Sequence, residues 1–550
     1  MRRRLRATAA ASTRHKRELP ERKGGVLESK RIPARQTGFS GRAAKWALVA
    51  GTSAVLALAC AGASWGSSSY DPLMDVNSMH NTTLYTGAQA WWAAGYTGKG
   101  VDVAVIDTGV APVEGLDDPG KVIYGPDLSL ESQAPNLTNL DTYGHGTFMA
   151  GLIAGRDSNV AAPYVLAPPT AYRGMAPDAR IVSVKVGTAD GGVDVSQVIA
   201  AIDWVVQHKS DKGLNIRVIN LAYGTNSTQN ADVDPLSYAV EQAWKKGVVV
   251  VAAAGNSGYQ VGGGSPGIAN PAYNPFVLAV GGTDSIGTIS QGDDTVGSYS
   301  ASARCNAPCK RPDFVAPGSH LQGLRVTNSY IDAANPKGAI DERYFRGTGT
   351  SEAVAITSGA VALVLQKYPK MPPDQVKQFF QDNAVDLSGP SPLSQGAGEL
   401  NLLPMLTAKP TSKYTQRFHA ATGTGSLEAA RGQDHITRDG VVLTGEQDIF
   451  GNPFDALAMA KLEASGNSWS GGEWNGSTWS GSTWSGSTWS GSTWSGNSWS
   501  GSSWSGSTWS GNTWSGSSWS GSSWSGSSWS GSTWSGNSWS SDSWMGATWG

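Results

Sequence analysis

Apolar residues between 84 and 403 are grouped rather than scattered. Short runs at 101–107, 180–186, 216–222, 248–254 and 276–281 are rich in Val, Ile, Ala and Leu. Runs of that length read as strands, buried on both faces where the apolar stretch is continuous. Longer segments at 145–155, 195–209, 234–246 and 351–368 read as helices, with Gly247 as a C-cap after the third and Pro369 as a stop after the fourth. The alternation predicts an α/β fold: a doubly wound parallel sheet with helices on both faces. Residues 319–346 form a long polar insert and predict a surface loop.

Outside this region the pattern breaks. Residues 1–45 carry fourteen Lys and Arg against three Glu, with no apolar period, and predict a basic, disordered cytoplasmic tail. Residues 46–63 are a mainly apolar run, WALVAGTSAVLALACAGA. Positive charge before the run keeps the N-terminus inside and sends the remainder of the chain out of the cytoplasm. Ala61-Gly62-Ala63 offers a cleavage site, while the length also suits a retained anchor, so secreted and membrane-anchored forms both stay open. The overall charge of −2 hides the asymmetry: beyond the basic tail the chain is acidic, and nucleic-acid binding is not suggested.

Three cysteines occur. Cys60 belongs to the export segment. Cys305 and Cys309 predict a local disulfide in an exported chain, because a metal site would need two more ligands and none lies nearby. Residues 404–463 read as a linker with a little local structure. From 464 to 550 Trp recurs every five residues, from Trp469 to Trp549, in the frame Ser-Thr-Trp-Ser-Gly with variants. A period of five matches neither strand nor helix, and Gly in every unit opposes a helix. A disordered spacer, a flexible tract with exposed Trp, and a repetitive β-coil are all compatible with it. Exposed Trp would bind cell-wall polysaccharide or self-associate.

The chemistry centres on Gly347-Thr348-Gly349-Thr350-Ser351-Glu352-Ala353, which opens the last helix. A Ser there has unpaired N–H groups and positive potential beside it, suited to an oxyanion. Three partners lie upstream. Asp107 ends the first apolar strand. His145, alone among seven His, is flanked by glycines at the head of a small-residue helix. Asn256 ends the strand 248–254 as a neutral amide donor.

Together these motifs resemble the subtilisin-like (S8) serine peptidases, in the order Asp, His, Ser that subtilisin itself has. The resemblance covers about 84–403 and includes Val-Ile-Asp-Thr-Gly at 105–109, Gly-His-Gly-Thr at 144–147, Ala-Ala-Gly-Asn at 253–256, Ala-Pro-Gly at 316–318 and Gly-Thr-Ser at 349–351. It implies a serine endopeptidase with Asp107, His145 and Ser351 as the triad and Asn256 in the oxyanion hole. It further implies that Asp190-Gly191-Gly192 and Ala222-Tyr223-Gly224 flank an extended peptide, and that Ala253-Ala254-Gly255 line a side-chain pocket with no acid at its floor. Many relatives carry a folded propeptide; residues 64–83 are too short for one, so folding uses a helper in trans or none. Trp-Ser-Gly tracts of this kind resemble those of secreted actinobacterial proteins. No cofactor is implied, and no calcium site is indicated. Two departures stand out: Glu352 follows the nucleophile where Met is usual, and Phe148 replaces a His. Glu352 would raise the His145 pKa or alter the cleft. The competing reading is a weak or inactive peptidase-fold surface protein that acts through its Trp tail.

Overall fold

The computed structural model describes residues 70–478, except 134–135, 212, 260–266, 304–309, 439–440 and 471, and beyond them isolated strand pieces between 483 and 548. The segments 1–45 and 46–63 and the Cys305–Cys309 pair lie outside the described residues.

The main sheet contains eight strands: β1 Asp102–Asp107, β2 Val122–Asp127, β3 Arg180–Lys185, β4 Ile216–Leu221, β5 Val249–Ala253, β6 Leu278–Asp284, β7 Thr295–Val296 and β8 Phe314–Pro317. Their spatial order is β2-β3-β1-β4-β5-β6-β7, with β8 also on β6. All pairings are parallel except β6 with β7. Every residue of β1 and β5 is buried, as in strands covered on both faces; β5 is apolar throughout and β1 is apolar between Asp102 and Asp107. The helices up to residue 382 are α1 Met79–Tyr85, α2 Ala88–Ala93, α3 His145–Ala154, α4 Val195–His208, α5 Pro235–Lys245, α6 Tyr330–Ala334, α7 Thr350–Lys367 and α8 Pro373–Asp382, and four more follow among the described residues, Pro392–Gln395, Leu402–Met405, Leu427–Arg431 and Ala456–Ser465. The five expected strands and four expected helices are all present. The doubly wound sheet places the ends of β1 and β5 where functional groups collect in open α/β folds.

Three stretches differ from expectation. Residues 319–346 contain β9, Leu321–Leu324, and α6, and lead into β10, Tyr344–Gly349, which pairs antiparallel with β9. Leu321, Leu324, Ile331, Tyr344 and Phe345 are buried there and join the main hydrophobic core, so this polar-looking insert packs on the body. Residues 404–463, expected to be a linker, pack on the body. Arg431 is fully buried and meets Asp194, the N-cap of α4, at 2.6 Å. Folding also begins before 84: Met79 and Thr82 are buried, and Asp75 pairs with Arg346 at 2.6 Å.

The Trp tract starts on the body rather than away from it. Trp469 and Trp474 face each other on a small antiparallel ladder. Both are buried against α4: the Trp469 indole donates to the Ala200 carbonyl at 2.8 Å and the Trp474 indole to Asp203 at 2.9 Å. Farther along, described pieces such as Asn512–Trp514 with Ser517–Trp519 pair as antiparallel hairpins. Gly546–Thr548 lies antiparallel along β10. Among the described residues no helix is long and apolar enough to cross a membrane.

Candidate active site

Asp107 ends β1, and its side chain is fully buried. Both carboxylate oxygens lie within hydrogen-bond distance of His145 Nδ1, at 2.8 and 2.9 Å. Oδ1 also accepts from the Thr108 N–H at 2.8 Å, which fixes the carboxylate plane. Burial works against a charged imidazole, but the Asp107 carboxylate outweighs it, and Glu352 and Asp141 add to its effect. His145 is held above its ordinary value.

His145 is the first residue of α3, and the preceding Gly144 has φ 106°, a left-handed conformation that glycine adopts without a steric penalty. Gly146 lets the helix start touch the turn after β1: a Cβ there would lie 2.1 Å from the Gly109 carbonyl oxygen. Asp141, four residues before His145, organises this junction, although no sequence motif marks it. Its Oδ1 accepts from the Gly144 N–H at 2.7 Å and Thr108 Oγ1 at 2.8 Å, and its Oδ2 from the Thr147 N–H and hydroxyl, both at 2.7 Å. The turn after β1 and the start of α3 are therefore tied to one buried carboxylate.

Ser351 lies in the first turn of α7, buried, with its hydroxyl 3.3 Å from the Ala222 carbonyl at the end of β4. The helices α3 and α7 pack on each other, which brings the His145 and Ser351 helix starts to one end of the sheet. Asn256 follows β5. Its Oδ1 accepts from the Thr350 N–H at 2.9 Å and the Thr350 hydroxyl at 3.1 Å. The Thr350 hydroxyl oxygen also accepts from the Gly255 N–H at 3.2 Å. With its oxygen held on Thr350, the Asn256 amide directs its NH2 end elsewhere, as an oxyanion donor must. Thr350 is a second contributor: it lies within the Gly-Thr-Ser motif beside Ser351, but the motif alone gives it no role.

The expected substrate-binding residues fall into three groups. Asp190-Gly191-Gly192 form a tight turn closed on Thr188, with the Thr188 hydroxyl 2.8 Å from Asp190 Oδ1 and the Thr188 N–H 3.1 Å from the Gly192 carbonyl. Ala222-Tyr223-Gly224 continue from β4, and Ala222 touches Ser351. Ala253 and Ala254 are fully buried beneath Asn256, and the Ala254 and Gly255 carbonyls accept from Ala269 and Ala301 at 2.8 Å each. Among the described residues, no group of three or more His, Cys, Asp or Glu is arranged to hold a metal ion.

The chain is similar in sequence to known proteins. Residues 98–402 match the family model described as the Subtilase family. Serine protease AprX of Bacillus subtilis (strain 168) is 35% identical over 308 residues, which cover 56% of this chain and 66% of that protein. The minor extracellular protease Epr of the same strain is 28% identical over 296 residues, 54% of this chain and 37% of that protein. The chain therefore spans less than two thirds of either relative. Subtilisin DY of Bacillus licheniformis is 31% identical over 296 residues, 54% of this chain and 87% of that protein. A crystal structure of a cold adapted subtilisin-like serine proteinase aligns at 27% identity over 56% of this chain and 90% of that one, with a TM-score of 0.40.

Proposed function

The chain belongs to the subtilase family, and on that premise we propose that it is an exported serine endopeptidase. Ser351 Oγ attacks the peptide carbonyl, and His145 takes its proton and returns it to the leaving amine. Asp107 holds the imidazole in the tautomer with Nδ1–H and stabilises the imidazolium. The Asn256 amide and the Ser351 N–H stabilise the oxyanion. The observation that carries the reading is the doubly contacted, fully buried His145–Asp107 pair beside an Asn256 whose oxygen is already engaged.

Extended peptides are the substrate class, pairing through main chain with the loops at Asp190–Gly192 and Ala222–Gly224. Small residues at 253–255 leave the side-chain pocket open. The basic tail and apolar segment 46–63 support export, with release or anchoring set by whether the segment is cut. The Trp units beyond 478 supply a cell-wall or self-association surface. The test is labelling of the full-length protein by a fluorophosphonate probe, beside Ser351→Ala. Labelling of the wild type alone is expected. Equal labelling of the variant, or none of a folded wild type, overturns the reading, and the second outcome would favour a scaffold acting through its tail.

A further inference from the structure

Glu352 follows Ser351 in the first turn of α7 and is fully buried. Among the described residues, neither oxygen of its carboxyl has a hydrogen-bond partner in another residue. A buried, unpaired carboxyl costs free energy, so this one is kept at the expense of stability. Gly347 makes the space for it: a Cβ at Gly347 would lie 2.3 Å from Glu352 Oε1 and 2.8 Å from Phe148 Cζ. Phe148 stands one turn after His145 on α3. The carboxyl is therefore lodged between β10, which leads into the nucleophile, and the helix that His145 begins. Both departures from the family pattern, Glu352 and Phe148, meet at this one spot.

Resting on the peptidase reading, we propose that Glu352 is a positioning residue whose carboxylate, the second beside His145 after Asp107, stabilises the imidazolium formed when Ser351 gives up its proton. Glu352 forms no bond in this step. The proton passes from Ser351 Oγ to His145, and both carboxylates act electrostatically on the resulting cation, Asp107 in direct contact and Glu352 from one turn along α3. When Glu352 is protonated, this second source of stabilisation is absent.

The surroundings set when that happens. Burial pushes the Glu352 carboxyl up to about 7, His145 pulls it back, and Asp107 pushes it further up. The groups that face it are His145 on α3, Asp107 at the end of β1, and Tyr299 in the segment before β8. Of these, His145 alone becomes a cation. On β10, Arg346 turns its guanidinium to Asp75 and the His320 carbonyl. The strand Gly546–Thr548 on the edge of β10 carries no ionisable residue type. Asp107 raises the Glu352 carboxyl and a charged His145 lowers it, so ionisation of Glu352 and protonation of His145 favour each other.

The test is the second-order rate of fluorophosphonate labelling between about pH 5 and 9, measured on full-length wild type, Glu352→Gln and Glu352→Met. Losing the charge lowers the basicity of His145. The acid limb should therefore move to lower pH by on the order of one unit, and the plateau should fall by up to about tenfold because the imidazole is a weaker base. Met fills the site without charge or amide and should repeat the shift. An acid limb shared by wild type and both variants overturns the proposal while leaving the peptidase reading intact. So does a loss of rate that is equal at every pH, which marks a packing role only. A folded wild type that is not labelled at any pH overturns the peptidase reading and this proposal with it.

Discussion

Replacing Asp141 tests whether one buried carboxylate holds the His145 helix in place. Its four hydrogen bonds reach Thr108, Gly144 and Thr147, and a bond to a charged acceptor is worth about 1.5–3 kcal/mol. Their sum is not the net contribution. Burial holds the Asp141 carboxyl above its ordinary value even though all these bonds pull it down. The useful comparison is Asp141→Asn, which preserves shape. The Gly144 and Thr147 N–H groups bind opposite oxygens, at 2.7 Å each. An amide offers only one oxygen, so one of these N–H groups must face an NH2. The Thr hydroxyls can rotate to adapt; a backbone N–H cannot. One unmet buried donor costs about 1–3 kcal/mol, so Asp141→Asn should lose about that much stability. Asp141→Ala leaves both donors unmet and should lose about twice as much. The urea midpoint by circular dichroism measures the first effect. Fluorophosphonate labelling rate measures the displacement of His145 and should fall at least about tenfold if the Gly144 cap is the bond lost. An Asn variant with the wild-type midpoint and the wild-type rate would show that the junction does not depend on this residue.

Five other changes probe further parts of the molecule. Asn256→Ala should reduce peptide turnover by roughly 10²–10³ and, because it leaves the buried Thr350 N–H without its acceptor, should also cost about 1–3 kcal/mol of stability; Thr350→Val, which removes one of the two bonds to the Asn256 oxygen and keeps the N–H bond, should produce a smaller drop in turnover. Gly146→Ala places a methyl against the backbone at Gly109, where nothing flexible can yield; soluble yield and labelling should both collapse, and a well-folded, active variant would contradict the close approach. Arg431→Met leaves Asp194 charged and buried without its partner, and should cost about 3–5 kcal/mol in unfolding experiments. Burial holds the Asp203 and Glu463 carboxyls above the ordinary range, Asp203 to about 7. A raised folded-state value gives stability that is complete below the unfolded carboxylate range and lost as pH rises through the folded value. Asp203→Asn should therefore raise the thermal midpoint relative to wild type at alkaline pH more than at acid pH, since the amide oxygen can still accept from Trp474.

The central sheet was legible because its expected strands are short segments dominated by Val, Ile, Ala and Leu. Asp107 stood out as the acid ending one of them, and His145 as the histidine between glycines. Other residues were hidden for physical reasons. Asp141 lies in a polar turn, where an Asp is ordinarily a local turn former; its role appears only once β1 and α3 are side by side. The insert 319–346 carries its buried apolar residues sparsely, Leu321, Leu324, Ile331 and the pair Tyr344-Phe345 among polar neighbours, so no period marks them. Arg431 looked like a linker charge because its partner Asp194 is 237 residues away. Trp469 and Trp474 share their repeat with fifteen other Trp, and nothing local distinguishes the two that dock. Glu352 was visible as a departure beside the nucleophile, but its lack of a partner and its berth over Gly347 are properties of the folded chain.

The docking of Trp469 and Trp474 on α4 bears on how the protein responds to a cut. A single scission in 404–463 would sever the covalent link between the peptidase body and the Trp tract. The indoles would still be seated on Ala200 and Asp203, and a break on the N-terminal side of Arg431 would leave its ion pair with Asp194 joining the fragments. The cleaved protein would therefore migrate as two bands under denaturing conditions and as one species under native ones. Nicking and shedding are separate events here, and the second requires the indoles to leave the helix.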